Sequence, residues 1–442
     1  MGIKVCKFGG SSLADENQFI KVANIIKSDP DRKFVVPSAP GKRFPDDIKI
    51  TDMLYTCYDL ASKGLEIDSF FGKIRKRYDD IISALGIDIS LENDFVKIEQ
   101  AFRNKAGKDY AASRGEYLCG KILAKFLGFE FIDSAEVIFF NETGTLDSEI
   151  TNSILSKRLQ NVEKAVIPGF YGSMPNDTIK TFSRGGSDIS GAIVARAVHA
   201  DIYENWTDVS GFLAADPRIV KNPKPIGIIT YRELRELSYM GATVLHEEAI
   251  FPVKAAGIPI NIRNTNSPDD CGTMIVSQIF KGSPQEDDTP VVTGIAGKKH
   301  FSVISLEKDK MNEELGFGRR VLEVLENFNL GFEHLPSGID TMSVIVQQDK
   351  IENIERDISK KLFEVTNSDS ISIEKGISLI AIVGHGMKNM RGTAAKIFSS
   401  LAAKNINIRM IDQGSSELNI IIGVEDSDFE ESIRTIYAQF WA

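Results

Sequence analysis

The last third of this chain runs twice through one order of predicted elements, and that doubling narrows the fold more than any other feature. The first copy reads as a strand at Phe301–Leu306, a helix at Arg319–Phe328, strands at Gly331–Leu335 and Thr341–Gln347, and a helix at Ile351–Leu362. The second reads as Ile377–Val383, a helix at Gly392–Lys404, strands at Ile406–Ile411 and Glu417–Val424, and a helix at Asp428–Phe440. Each copy is β-α-β-β-α, so one further strand completes a ferredoxin-like βαββαβ unit. Val291–Ala296 is the first candidate for it; if the second copy borrows that strand, the first is inserted within the second.

A break precedes the repeat. Lys281-Gly-Ser-Pro-Gln-Glu-Asp-Asp-Thr-Pro290 has no periodicity and reads as a linker or exposed loop. The expected domains are therefore 1–280, a linker at 281–290, a first repeat domain at 291–375 and a second at 376–442, with the strand at 291–297 shared between the last two. Before the break, β-rich runs alternate with runs of helical spacing. Strands are expected at Ile3–Phe8, Phe34–Val36, Ala165–Phe170, Asp201–Glu204 and Ile258–Ile262. Helices are expected at Asn17–Ser28, Met53–Ser62, Ser69–Leu85, Ala112–Leu127 and Asp188–His199. Such alternation gives an α/β fold, a mostly parallel sheet with helices on both faces, followed by an α+β tail. Ligands of such sheets sit beyond the carboxyl ends of the strands.

Composition removes several function classes. Fifty-two basic against 62 acidic residues leave a net charge of −10, which disfavours nucleic acid as a partner. The basic cluster Lys73–Arg77 and the pair Lys298–Lys299 read as solvated faces. The four cysteines, at 6, 57, 119 and 271, form no CxxC pair and suit buried, reduced thiols. The five histidines are scattered, so neither a metal cluster nor a nucleophile–histidine pair is indicated. No apolar run is long enough to span a bilayer and no signal core opens the chain, so a cytoplasmic location is expected.

Two glycine turns carry the chemistry. Lys7-Phe8-Gly9-Gly10-Ser11-Ser12 follows the first strand and opens a helix, where bare N–H groups and a lysine suit a phosphate. Ser183-Arg184-Gly185-Gly186-Ser187-Asp188 opens another helix, with an arginine suited to a carboxylate or phosphate. Asp188 could instead be only a partner of the helix dipole. In Asn205–Arg218, Asp208 and Asp216 could hold ribose, metal-bound water or their own turns, and Arg218 could reach phosphates. Glu116 is expected in the first turn of its helix, as a dipole partner or as a grip on an ammonium group. Decoys fail: Gly115–Lys121 has Ile122 where a P-loop has Ser or Thr, Gly384-His-Gly lacks a third glycine, and His246-Glu-Glu lacks a second histidine.

Lys7-Phe-Gly-Gly-Ser-Ser, Ser183-Arg-Gly-Gly-Ser-Asp, Trp206-Thr-Asp-Val and Asp216-Pro-Arg stand in the order and spacing of aspartate kinases. Over essentially its whole length the chain resembles that family: an amino acid kinase αβα sandwich with tandem ACT domains. The resemblance implies transfer of the γ-phosphoryl of MgATP to the side-chain carboxylate of L-aspartate, giving 4-phospho-L-aspartate on the way to lysine, threonine and methionine. It implies that Lys7 and Asp188 are catalytic, and that Gly9, Gly10 and Ser11 cradle the phosphoryl group. Ser38, Thr51, Glu116, Arg184 and Ser187 would bind aspartate; Thr207, Asp208, Asp216 and Arg218 would face the nucleotide. Three places depart from the pattern: Pro37 and Pro40 flank Ser38-Ala39, Leu213 replaces a tyrosine, and Asn266 replaces a lysine.

The tail implies an amino-acid effector, lysine in the first instance and threonine next. It would act through Met311, Gly316, Phe317, Gly318, Gly331, Phe332, Ser337 and Asp340 in a homodimer or homotetramer joined by ACT domains. Magnesium would arrive with ATP rather than on a protein metal motif. Competing readings are a superfamily kinase of glutamate, acetylglutamate or a nucleotide, an inactive amino-acid sensor, and a Rossmann oxidoreductase.

Overall fold

The computed structural model describes residues 2–183, 185–242, 251–279, 290–388 and 390–441. The chain forms two compact units. The first is Met1–Phe212, Pro225–Tyr231 and Val244–Ile279; the second is Leu213–Lys224, Arg232–Thr243 and Phe280–Ala442. Arg184, the His246-Glu-Glu decoy and residues 281–289 of the expected linker lie outside the described residues.

The strands of the first unit are β1 Lys4–Phe8, β2 Arg32–Pro37, β3 Glu130–Phe131, β4 Ala165–Val166, β5 Tyr171–Ser173, β6 Ile179–Thr181, β7 Ile202–Thr207, β8 Ile228–Thr230, β9 Ile260–Asn264 and β10 Thr273–Val276. Eight of them form one sheet in the order β3-β4-β2-β1-β7-β9-β10-β8, while β5 and β6 make a separate hairpin. Every pairing in the large sheet is parallel except β9 with β10. Central β1 is fully buried from Val5 to Phe8 apart from the lysine between them, as a strand covered on both faces must be.

Helices cover the sheet with their apolar stripes. Glu16–Lys27 buries Phe19, Val22, Ala23, Ile25 and Ile26, and the Asp15 side chain caps it by accepting from Gln18 N at 3.0 Å. Asp68–Leu85 and Glu92–Arg103 pack Phe71 edge-on to Phe95 and Phe102. The helix holding Glu116 starts earlier than its spacing predicts, at Lys108, directly after Gly107 at φ 104°. Glu116 is therefore not in a first turn, and the dipole-partner reading falls. The Gly115–Lys121 decoy lies wholly inside this helix. Beneath the sheet's centre, buried Glu204 accepts from Arg32 Nε and Trp206 Nε1 at 2.8 and 2.9 Å, tying β2 to β7 across β1.

The second unit holds β11 Gly294–Glu307, β12 Thr341–Gln347, β13 Ser370–Val383, β14 Met410–Asp412 and β15 Asn419–Glu425, in the order β12-β11-β13-β15-β14. The two long strands run antiparallel along their lengths, with register shifts between Lys298 and Ser302. Residues 294–298 pair with 379–383 of the second copy, and residues 301–307 pair with both 370–377 and β12 of the first. One sheet thus serves both copies, each with its own core: Ile304, Phe317, Val344 and Leu362 in one, Ile382, Ile397, Ile422 and Ile436 in the other.

Further sequence expectations change. Gly331–Leu335 is not a regular strand; its pairing with β12 is reduced to isolated bridges at His334 and Ser337, next to Pro336, which has no N–H to give. The helix expected at 351–362 divides into Gln348–Ile351 and Glu355–Thr366. The strand expected at 406–411 is confined to Met410–Asp412. Cys271 is exposed, unlike the other three cysteines, because it sits in a turn before β10. Arg77 is 5 % exposed, so the Lys73–Arg77 cluster is not uniformly a solvated face.

Candidate active site

β1 delivers Lys7 to the carboxyl end of the sheet beside Asn205 of β7. The chain then turns: Gly9 N donates to Trp206 O at 3.0 Å, and Gly10–Leu13 forms a 3₁₀ turn. Ser12 Oγ lies 2.8 Å from Thr265 Oγ1, beyond the end of β9. The turn is packed against the exit of β2, with Ser38 N donating to Phe8 O at 3.0 Å and Gly41 N to Gly10 O at 2.8 Å.

Lys7 is only 8 % exposed. Its Nζ lies 2.5 Å from Asp188 Oδ1 and 3.3 Å from Asn205 Oδ1. Asn205 Nδ2 donates to Asp188 Oδ1 at 2.9 Å, and Tyr203 OH donates to Asp188 O at 3.0 Å. The second glycine turn, through its aspartate in the first turn of helix Gly186–Ala197, therefore meets the lysine of the first turn. Gly185, at φ 58°, makes the bend that starts this helix. Ser187 is buried against Gly169, where an added Cβ would lie 2.7 Å from the serine Cβ.

Beside the first turn lies a cavity of about 540 Å³ lined by Gly10, Ser11, Ser38, Thr51, Glu116 and Asp208, with the basic side chains Lys42, Arg43 and Lys49. Glu116 Oε2 is buried with no hydrogen-bond partner among the described residues. Burial pushes its carboxyl up to about 8, while backbone hydrogen bonding at Ala39 and the Arg114 charge pull partly the other way. A second cavity, of about 920 Å³, adjoins the start of helix Gly186–Ala197 and is lined by Ser183, Phe170, Tyr55 and Arg196 among others. Thr207 and Asp208 lie at and just beyond the end of β7, with Thr207 Oγ1 donating to Asp208 Oδ1 at 3.2 Å.

Other expected site residues line neither of these two cavities. Asp216 and Arg218 belong to the 213–224 segment of the second unit and pair with each other at 2.6 Å; Arg218 and Leu213 line a separate cavity there. Asn266 Oδ1 is engaged by Lys21 Nζ at 2.8 Å. In the repeat region Met311 and Phe317 are buried, while Gly316 at φ 81° starts helix Phe317–Asn327. Asp340 Oδ1 accepts from Lys310 N at 2.8 Å, and Phe332 and Ser337 are exposed. An added Cβ at Gly331 would meet nothing within 4 Å, and one at Gly318 would lie 3.8 Å from Met342 Cε. Among the described residues no group of three or more histidine, cysteine or acidic side chains could hold a metal ion. No helix among them is long and apolar enough to cross a membrane.

Sequence reasoning gave no role to Asn205, Tyr203 or Phe170. Parallel register with Lys7 would have pointed to Asn205. Phe170, a non-glycine residue at φ 80°, carries no local sequence signal of its conformation.

The amino acid kinase family matches residues 2–264, more than half of the chain, and an ACT domain matches residues 380–440. Aspartokinase 3 of Bacillus subtilis is 36% identical over 456 residues, covering 100% of this chain and 99% of its own. The crystal structure of Clostridium acetobutylicum aspartate kinase, described as an allosteric enzyme, is 52% identical with a TM-score of 0.90 over 100% of both chains. Escherichia coli aspartokinase III in complex with lysine and aspartate is 25% identical with a TM-score of 0.70, again over 100% of both. The chain belongs to the amino acid kinase family, as a kinase domain followed by an ACT domain. Within that family it is an aspartate kinase.

Proposed function

We propose that the pocket beside Lys7 binds L-aspartate and that this chain transfers the γ-phosphoryl of MgATP to the β-carboxylate. The contact between Lys7 and Asp188, each from its own glycine turn, carries the reading. An aspartate carboxylate is ionised at neutral pH and is already the nucleophile, so no base is required. The obstacle is the approach of one anion to another, and preorganised charge relieves it. One carboxylate oxygen attacks phosphorus, the bond from phosphorus to the bridging oxygen breaks, ADP leaves with that electron pair, and 4-phospho-L-aspartate forms.

Lys7 neutralises the transferring phosphoryl group, and the Gly9–Ser11 turn offers it N–H donors. Asp188 and Asn205 aim the lysine. Ser38 and Thr51 face the aspartate, Glu116 takes its ammonium, and Arg184 with Ser187 takes the α-carboxylate. Magnesium would enter with the nucleotide, and Asp208, which lines the cavity, would hold a water bound to it. Thr207, Asp208, Asp216 and Arg218 are the candidate contacts to the nucleotide.

The segments around Met311–Gly318 and Gly331–Asp340 are the effector site, and lysine is the favoured inhibitor, supported by the lysine complex of the Escherichia coli relative. The product feeds lysine, threonine and methionine synthesis, and the working form is a cytoplasmic homo-oligomer. Trapping the acyl phosphate with hydroxylamine tests the reading. Hydroxamate is expected with aspartate plus MgATP, not with glutamate, and less of it with lysine present. Hydroxamate from glutamate alone would overturn the substrate.

A further inference from the structure

Helix Asp68–Leu85 lies outside the candidate pocket and supplies none of its lining. Yet two consecutive residues of this helix bond to the backbone of segments that line the pocket. Arg77, buried, donates through Nη2 to Ala14 O at 2.9 Å and to Gly41 O at 2.5 Å, and through Nη1 to Asp47 Oδ2 at 2.9 Å. Those acceptors belong to the exit of the first glycine turn, the exit of β2 and the loop between β2 and helix Ile50–Ser62. Gly41 in turn donates to Gly10 O, so the guanidinium is one bond removed from the phosphate turn. The next residue, Tyr78, donates to Gly115 O at 2.9 Å, beside Glu116.

We propose that Arg77 is a positioning residue for aspartate: it fixes the wall carrying Gly41, Arg43 and Thr51 at a set distance from Ser38 and Glu116. This rests on the aspartate pocket proposed above. A planar fork reaching three acceptors in two segments cannot be reproduced by the point charge of a lysine. Asp47 is the second half of the device. Arg43 donates to its carboxylate through Nε at 2.8 Å and Nη2 at 3.0 Å, so the loop's own arginine and the helix's arginine converge on one anion. Removing the guanidinium leaves the Ala14 and Gly41 carbonyls without this donor and frees the loop to shift, and small displacements of a positioning wall weaken a bound substrate.

The test is Arg77→Ala in the full-length protein, with Asp47→Asn as the milder variant. Aspartyl hydroxamate formation by the unaltered protein checks the functional reading, and calorimetric aspartate binding reads the pocket without turnover. Arg77→Ala is expected to raise the aspartate KM and Kd about tenfold while the ATP KM changes far less. Added guanidinium ion, against an equal concentration of sodium chloride, should restore aspartate binding by refilling the vacated space, which a purely structural arginine would not require. Asp47→Asn should raise the aspartate KM about threefold. A folded Arg77→Ala protein with unchanged aspartate KM and Kd, or a loss that guanidinium does not reverse, overturns the assignment. If Arg77→Ala does not fold, an unchanged aspartate KM in Asp47→Asn overturns it.

Discussion

Lys7 Nζ stands 2.5 Å from Asp188 Oδ1, joining the end of one strand to the start of a helix far along the sequence. Each member is mostly buried, with side chains 10 % and 14 % exposed, so neither charge can be left alone at small cost. The pair holds the ammonium beside the Gly9–Ser11 turn. On the proposed mechanism, phosphoryl oxygens would share a cation whose place is already set, so little reorganisation would accompany transfer.

Lys7→Ala is expected to lower kcat by about 10²-fold or more, as for removal of one preorganised charge. The thermal melt should remain cooperative, because Val5, Cys6 and Phe8 of β1 are apolar and buried. Steady-state rates at saturating ATP and aspartate decide it, and turnover near that of the unaltered enzyme would remove Lys7 from the mechanism.

Asp188→Asn should cost both rate and stability. It leaves the ammonium facing two amides, and an uncompensated buried charge costs about 3–5 kcal/mol at the upper end. The double variant Lys7→Met with Asp188→Asn should regain much of that stability and none of the activity. Denaturant melts of the two singles and the double measure the coupling. Additive losses would show that the two side chains do not interact in solution.

The Glu116 carboxyl should make aspartate binding pH-dependent. Burial raises it from 4.5 to about 8. Between these values the folded chain keeps a proton that the unfolded chain has released. The stability it contributes is therefore complete below 4.5 and lost as pH rises through about 8. Ligand binding runs the other way, because an ammonium group needs the carboxylate. The aspartate KM should fall as pH rises from about 7 to about 9, with a proton released on binding at the lower end. Glu116→Gln should bind weakly with no such slope. A flat profile in the unaltered enzyme would remove Glu116 as the ammonium partner.

What the sequence made legible follows from how local each signal is. Strand-then-glycine turns announce themselves, so both phosphate-type turns and the doubled β-α-β-β-α order were readable. The meeting of Lys7 with Asp188 is tertiary, and residue spacing does not show it; the family resemblance implies only that both are catalytic. The Lys108 start of the Glu116 helix was missed because Lys-Asp-Tyr has no strong apolar spacing, and the break is set by one backbone angle at Gly107. Arg77 read as solvent-facing because charge in a helix defaults to the surface; its acceptors at Ala14, Gly41 and Asp47 come from segments that sequence spacing cannot bring together. The first repeat's second strand failed where Pro336 removed a donor from the sheet edge.

Gly41 offers a sharper test of the cradle than any charged residue, because nothing but space is changed. A Cβ there would lie 2.6 Å from Gly10 C, 2.7 Å from Gly10 O and 2.8 Å from Ser11 N, all backbone atoms that cannot swing aside. Gly41→Ala must therefore push the 38–41 segment away from the phosphate turn or open the turn itself. Either shift spoils positioning, and a displacement of about 1 Å can cost about 10²-fold in rate. Gly227→Ala is the matched control in the same unit, since a Cβ at Gly227 meets nothing within 4 Å. The expected outcome is a kcat/KM loss of about 10²-fold for Gly41→Ala against near-normal rates for Gly227→Ala, at comparable melting temperatures. Equal activity in the two variants would mean that the contact between Gly10 and Gly41 does not hold the phosphate turn.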